Sequence, residues 1–409
     1  MFDVKQIRND FPMLKNHIQM HGHDLVYLDN NATTLKPQCV IDAVSEYYSS
    51  YSVNAERGDY DLSHDVDVHL EEARDNIKHF INAEYKEEIV FTSGTTDGLN
   101  MIAYGWGEVY LKKDDEILLS LAEHASNTLP WFDIAKKTGA KIRYIPLDNG
   151  MITMNNVKKS VNSHTKIISL ALVTNVLGYY LPIKEICRYA HSHGILVVGD
   201  GAQSVPHSKT DVRDMDIDFL AFSGHKMLGP TGIGVLYGKR GLLEKLKPYR
   251  YGGGSNARYN SYGELSLKEV PYRFESGTLH IAGAIGLGAA VRYLERLGMN
   301  HIADYEKKLR DYAINKLEGL NNVDIYNKDA GGAIAMNIKN VFSQDAASLF
   351  NTYGIAVRAG DHCAKILKEY LQVNSTVRVS FYLYNTYDDI DKFIDICKKG
   401  DDFLDAFFG

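Results

Sequence analysis

Apolar and polar positions follow two textures along this chain. Between 88 and 222, short apolar runs take turns with stretches of helical spacing. The runs lie at 88–92, 116–121, 141–146, 166–172, 194–200 and 218–222. They are nearly continuous in apolar residues, as expected of strands covered on both faces. The stretches between them predict helices from about 99, over 129–137 and over 183–193. Strands and helices in alternation define an α/β layer, a mostly parallel sheet flanked by helices. Upstream, the spacing predicts a short helix within 3–19, a strand at 26–29 and helices over 38–51 and 64–81. Val40, Ile41, Val44 and Tyr47 share one face of the third of these.

After 273 the texture changes. Long helical patterns over 283–297 and 302–317 lead into a mixed region. It has strands at 334–338, 355–358 and 376–381 and helices over 345–352 and 387–398. This predicts a smaller α+β domain. At 409 residues the chain exceeds a typical single core. The expected division is a large domain over 20–282 and a small one formed by 1–19 and 283–409. The glycine-rich loop from Tyr251 leaves room up to Tyr272 for a hairpin or a lid.

Charge and composition narrow the function. A net charge of -7 argues against a nucleic-acid surface or a basic membrane patch. No apolar run is long enough to span a bilayer, and the first residues, mixed in charge, do not read as a signal peptide. Cys39, Cys187, Cys363 and Cys397 are scattered without metal-ligand or redox spacing. A cytoplasmic, reducing setting with no bound metal is the expectation.

Candidate chemistry gathers at strand ends, where ligands sit in open parallel sheets. Ser223-Gly224-His225-Lys226 follows a buried strand and precedes a glycine-rich turn. A desolvated lysine there becomes a nucleophilic amine able to join an aldehyde such as pyridoxal phosphate (PLP). A solvated lysine in a turn is the alternative. Ser93-Gly94-Thr95-Thr96-Asp97-Gly98 offers either an anion site at a helix start or a plain cap. Asp200, in Asp200-Gly201-Ala202-Gln203, ends an apolar strand and needs a cation, either a protonated ring nitrogen or an internal partner. His124 reads as a ring-stacking proton carrier or a loop histidine. Cys363 beside His362 reads as an activated thiol or an inert one. Arg378, flanked by valines, pairs with a substrate carboxylate or with a structural acid.

Taken together and in order, these motifs resemble the class V aminotransferases, PLP enzymes of fold type I. Within them they are most similar to the cysteine desulfurases of the sulfur-mobilising Suf type, also called group II. The most specific motif is Arg358-Ala359-Gly360-Asp361-His362-Cys363. The resemblance implies that Lys226 binds PLP and Asp200 faces its ring nitrogen. It places Gln203 on the ring's phenolic oxygen and His124 on the ring's face. Thr95, Thr96, Ser223 and His225 would hold the phosphate. Asn175 would lie beside cofactor and substrate, and Arg378, with Arg358, would bind the substrate carboxylate. Thr278 would reach the phosphate of a neighbouring subunit in a homodimer.

The implied reaction converts L-cysteine to L-alanine and leaves a persulfide on Cys363 for a sulfur-acceptor protein, as in iron–sulfur cluster assembly. A selenocysteine lyase or another C–S lyase on the same scaffold is the second reading. A non-catalytic partner-binding chain is the third. Two positions depart from the Suf-type pattern, Glu56 and Ala125, where histidine is usual.

Overall fold

In the computed structural model, which describes residues 3–55 and 58–402, the apolar runs join one seven-stranded sheet. Its strands are β1 (Ile89–Thr92), β2 (Glu116–Ser120), β3 (Lys141–Ile145), β4 (Thr165–Ala171), β5 (Leu196–Asp200), β6 (Phe219–Ser223) and β7 (Gly234–Gly238). They lie side by side in the order β1-β7-β6-β5-β4-β2-β3. β2 to β6 run parallel, while β7 is antiparallel to both β6 and β1. The mostly parallel sheet expected from the sequence is therefore present. β7 was not expected, because its glycines dilute the strand pattern. Gly234 itself is required: a Cβ there would lie 2.5 Å from the Cα of Gly94.

Side chains of the sheet alternate between two apolar layers with the two-residue period of a strand. Leu118, Leu220 and Phe222 face one layer; Ile117, Leu119, Phe219 and Ala221 face the other. The first layer is completed by α1 (Gln38–Ser50), α2 (Asp61–Phe80) and α5 (Ile281–Leu297). The second is completed by α3 (Thr95–Ile102) and α4 (Leu129–Thr138), with Trp131 and Ile134 buried. α3 begins at Thr95, earlier than the expected 99. Asp97 accepts a hydrogen bond from the Ser93 N–H (2.9 Å), so the chain turns helical directly after Gly94.

The second packing centre surrounds an antiparallel sheet ordered β8-β9-β11-β10. Its strands are β8 (Val323–Ile325), β9 (Ile334–Ile338), β10 (Arg358–Gly360) and β11 (Thr376–Val379). α6 (Met299–Glu318) and α7 (Tyr387–Lys398) pack on it through Leu309, Leu317 and Phe393. The expected strand at 355–358 divides. Ile355–Ala356 pairs in parallel with Val26–Tyr27, and β10 pairs with β11. Val26 and Leu28 accordingly pack in this second centre, so the chain touches it before entering the large sheet. α5 packs with α2, through Ala284, Leu287 and Leu294 against Leu70 and Ile77. We propose that the two domains part after α5, at Gly298 (φ +84°), rather than at 283. The 251–272 segment carries a hairpin, Asn256–Tyr259 with Leu265–Leu267. Among the described residues no helix is long and apolar enough to cross a membrane.

A buried ion pair ties α2 to the segment that follows this hairpin. Arg74 donates to both carboxylate oxygens of Glu275 (2.7 and 2.9 Å) and to the Ile89 carbonyl (2.7 Å). Glu275 also accepts from the Phe91 N–H (2.7 Å). Both side chains are almost fully buried. Arg74 Nε also donates to Glu71 (3.1 Å), so losing Glu275 leaves the buried guanidinium with one carboxylate, at a cost of up to about 3–5 kcal/mol. Glu275→Gln should lower the urea-unfolding midpoint correspondingly; an unchanged midpoint would show that Glu71 alone suffices to hold Arg74.

Candidate active site

The carboxyl ends of β4, β5 and β6 and the N-terminus of α3 face one cavity of about 330 Å³, closed on its far side by β10 and β11. Lys226 projects into it from the short turn after β6. The turn is fixed from the N-terminal segment. The carbonyl of His225 accepts hydrogen bonds from the Thr34 N–H (3.1 Å), the Thr33 and Thr34 hydroxyls (3.1 and 3.2 Å) and Lys36 Nζ (2.9 Å). Burial lowers the Lys226 amine to about 8, only partly opposed by the Asp200 carboxylate. Near neutral pH the amine is therefore much closer to its nucleophilic form than an ordinary lysine.

Beside the lysine is a cradle of donors. The Thr95 N–H donates to Ser223 Oγ (2.8 Å), and the two hydroxyls lie 2.7 Å apart. Thr96 Oγ1 meets Ser126 Oγ at 2.7 Å. Gly94 (φ +150°) leaves open the space that its Cβ would take 3.2 Å from Ser223 Oγ. Burial lowers His225 to about 4, so it is neutral and offers a ring N–H. Asp200, at the end of β5, is buried and accepts from the Ala202 N–H (2.9 Å). Gln203 donates to the Asn31 carbonyl (2.8 Å), and its own amide oxygen is buried without a partner. His124 lies on the loop after β2. Its Nδ1 accepts from the Ser126 N–H (3.1 Å), which leaves the ring proton on Nε2. Burial lowers its pKa, so the ring stays neutral.

The far wall carries the arginines and the thiol. Arg378 is buried on β11. It donates to the Asn175 carbonyl (3.2 Å) and to Asp29 (3.3 Å), and its Nε has no partner. Burial lowers it to about 10. Arg358 forks onto both oxygens of Asp29, at 2.9 to 3.1 Å. Cys363 is exposed at the cavity. It and His362 both adopt left-handed backbone (φ +57° and +51°), a conformation that costs side-chain-bearing residues about 1 kcal/mol or more each. Groups on the loops after β4 and β2 hold this loop in that shape. Asn175 Nδ2 donates to the His362 carbonyl (2.8 Å) and the Ala125 N–H to the Cys363 carbonyl (2.8 Å). The departure at Ala125 leaves this backbone contact intact. Burial lowers His362 to about 3, so its ring is neutral.

Twelve of the thirteen expected site residues thus face one cavity. Thr278 does not: it is exposed beside a separate cavity with Asn54, Gly253 and Gly254. Glu56 lies outside the described residues. Sequence reasoning passed over Asn31, Ser126 and Asp29. It also passed over Glu123, a buried acid that burial raises to about 7 while Ser120, Asn127 and the Ala171 N–H hold it.

The cavity suits pyridoxal phosphate. Orphaned buried atoms on Gln203, Asn175 and Arg378 face a lysine, a buried carboxylate and a donor cradle, a set that matches an aldehyde, a ring nitrogen and a phosphate. Fold and site therefore define a PLP-dependent enzyme of fold type I. The sequence model of the aminotransferase class-V family matches residues 26–393. The chain belongs to that family. A relative from Halalkalibacterium halodurans, named "Probable cysteine desulfurase", is 45% identical over 95% of this chain and 96% of its own. The solved cysteine desulfurase CsdA from Escherichia coli superposes with a TM-score of 0.91 at 35% identity, covering 98% of this chain and 99% of that one. A cysteine desulfurase from Thermococcus onnurineus superposes at 0.90 with 36% identity, covering 97% of both chains.

Proposed function

We propose that this chain is a PLP-dependent cysteine desulfurase that takes L-cysteine to L-alanine and leaves the sulfur as a persulfide on Cys363. One observation carries the assignment of residues: Lys226 and Cys363 line the same cavity. When bound, pyridoxal phosphate supplies an aldehyde for amines and a ring that draws electrons from the adjacent carbon. Lys226 would join it. Thr95, Thr96, Ser223 and His225 would hold its phosphate, Asp200 would pair with its ring nitrogen, Gln203 would bond its phenolic oxygen, and His124 would lie against its ring. Asn175 and Arg378, with Arg358 at the rim, orient the substrate carboxylate, for which Arg378 Nε is free.

The chain's own groups then perform the transfer. Lys226 Nζ takes the proton from the substrate's α-carbon. The Cys363 thiolate attacks the substrate sulfur, an S–S bond forms, and the Cβ–S bond breaks with its electron pair on Cβ. Cβ takes up a proton, Lys226 Nζ returns a proton to the α-carbon, alanine leaves, and a sulfur acceptor removes the outer sulfur of Cys363. Thr278, outside this cavity, is assigned to the site of a second copy in a homodimer.

The test is product identity from L-cysteine. Alanine and transferable sulfur in equal amounts support the reading; pyruvate with free sulfide would instead mark a C–S lyase. A second expectation concerns Arg378→Lys. A point charge cannot reproduce the planar fork, and a lost charged hydrogen bond is worth about 1.5–3 kcal/mol. KM for L-cysteine should rise by about tenfold to a hundredfold, with kcat less affected. A change confined to kcat would place the carboxylate elsewhere.

A further inference from the structure

Asp29 has no role in the chemistry above, yet it occupies a central position. Its carboxylate accepts from Arg358 Nε at 3.1 and 3.0 Å, from Arg358 Nη2 at 2.9 Å and from Arg378 Nη2 at 3.3 Å. One oxygen, Oδ1, serves both arginines. Asp29 follows the strand Val26–Tyr27 and forms a parallel bridge with Ser380. Its side chain thus reaches the cross-strand pair Arg358 and Arg378 from a distant part of the chain. Its side chain is 13% exposed, against 49% for Arg358 and 4% for Arg378.

The same two arginines line the cavity with Cys363. A guanidinium close to a thiol favours its thiolate form, and the Asp29 carboxylate bonded to both arginines offsets that charge. We propose that Asp29 is a positioning residue of the sulfur-accepting centre, joining Arg358 to Arg378 and offsetting their positive charge at Cys363. The proposal rests on Cys363 being the sulfur acceptor. Without the offset, two unneutralised cations would hold the thiolate more firmly and make it a weaker nucleophile.

Other charged and titratable groups surround this thiol. Asp361 and the neutral His362 are on its own loop, His124 and Lys226 come from large-domain loops, and Asp200 ends β5. None of these bridges the two arginines. The balance between Asp29 and its pair is therefore separable from the rest.

The test uses the PLP-loaded protein without substrate. Alkylation of Cys363 by iodoacetamide is followed against pH, with the peptide bearing Cys363 quantified by mass spectrometry to separate it from the exposed Cys39. Asp29→Asn removes the anion, and the midpoint of alkylation should fall by about 0.5 unit or more. Arg358→Gln, at a half-exposed position, removes a cation, and the midpoint should rise. Unchanged midpoints, or shifts of the opposite sign, overturn the proposal. Should Asp29→Asn fail to fold, the Arg358→Gln shift decides alone, and its absence overturns the proposal. Alanine formation by Cys363→Ala gives a separate readout. If it persists while the alkylation midpoints move as expected, the sulfur-acceptor assignment fails and the charge balance at Asp29 stands.

Discussion

Lys226→Ala is expected to abolish turnover of L-cysteine and to release the cofactor's only covalent hold on the chain. Two functions are lost at once. On the proposed assignment the amine, lowered to about 8 by burial, joins the aldehyde. It also takes the α-proton, and positioned proton transfer contributes about 10²–10⁴ in rate. The loss in kcat should therefore be about a thousandfold or more. After borohydride treatment, wild-type protein should carry the cofactor on the peptide containing position 226, and the variant should carry none. Cofactor fixed to the variant, for instance on Lys36, would place the covalent site elsewhere. The donor cradle of Thr95, Thr96 and Ser223, assigned above to the phosphate, is untouched, so the variant should still bind the cofactor reversibly.

Cys363→Ala is expected to reduce alanine formation from L-cysteine by at least about a hundredfold, as for loss of a nucleophile. Cofactor binding should be unaffected. The thiol stands at the mouth of the cavity, away from the cradle, and the loop's shape depends on backbone carbonyls that alanine retains. Cys363→Ser should behave similarly, since a hydroxyl cannot form the S–S bond. Alanine production at the wild-type rate would show that the sulfur leaves by another route, with Cys363 a bystander.

Much of this site was legible before any coordinates, for a physical reason. Strands buried on both faces must be apolar, so a polar residue at their carboxyl ends stands out. Asp200 and Ser223 announced themselves in this way, and glycines marked the close approaches around Thr95 and Lys226. What escaped was carried by residues with no such contrast. Asp29 sits in an ordinary strand exit, and only the fold brings it to Arg358 and Arg378. Ser126 looks like a loop serine until its hydroxyl meets Thr96. Strand β7 was hidden by the glycines that let it lie against Gly94. α5 is apolar on most of its surface, so its sequence does not say which core receives it; its packing on α2 is a tertiary fact.

The grip of Asn175 and Ala125 on the loop of Cys363 has a mechanical consequence. Two clasps from the other half of the molecule leave the sulfur little freedom to swing outward with its cargo. On the reading proposed above, delivery must then work by visit rather than by reach. A recipient has to insert its own thiol into the mouth of the cleft, so a slender, protruding contact suits this enzyme better than a flat one.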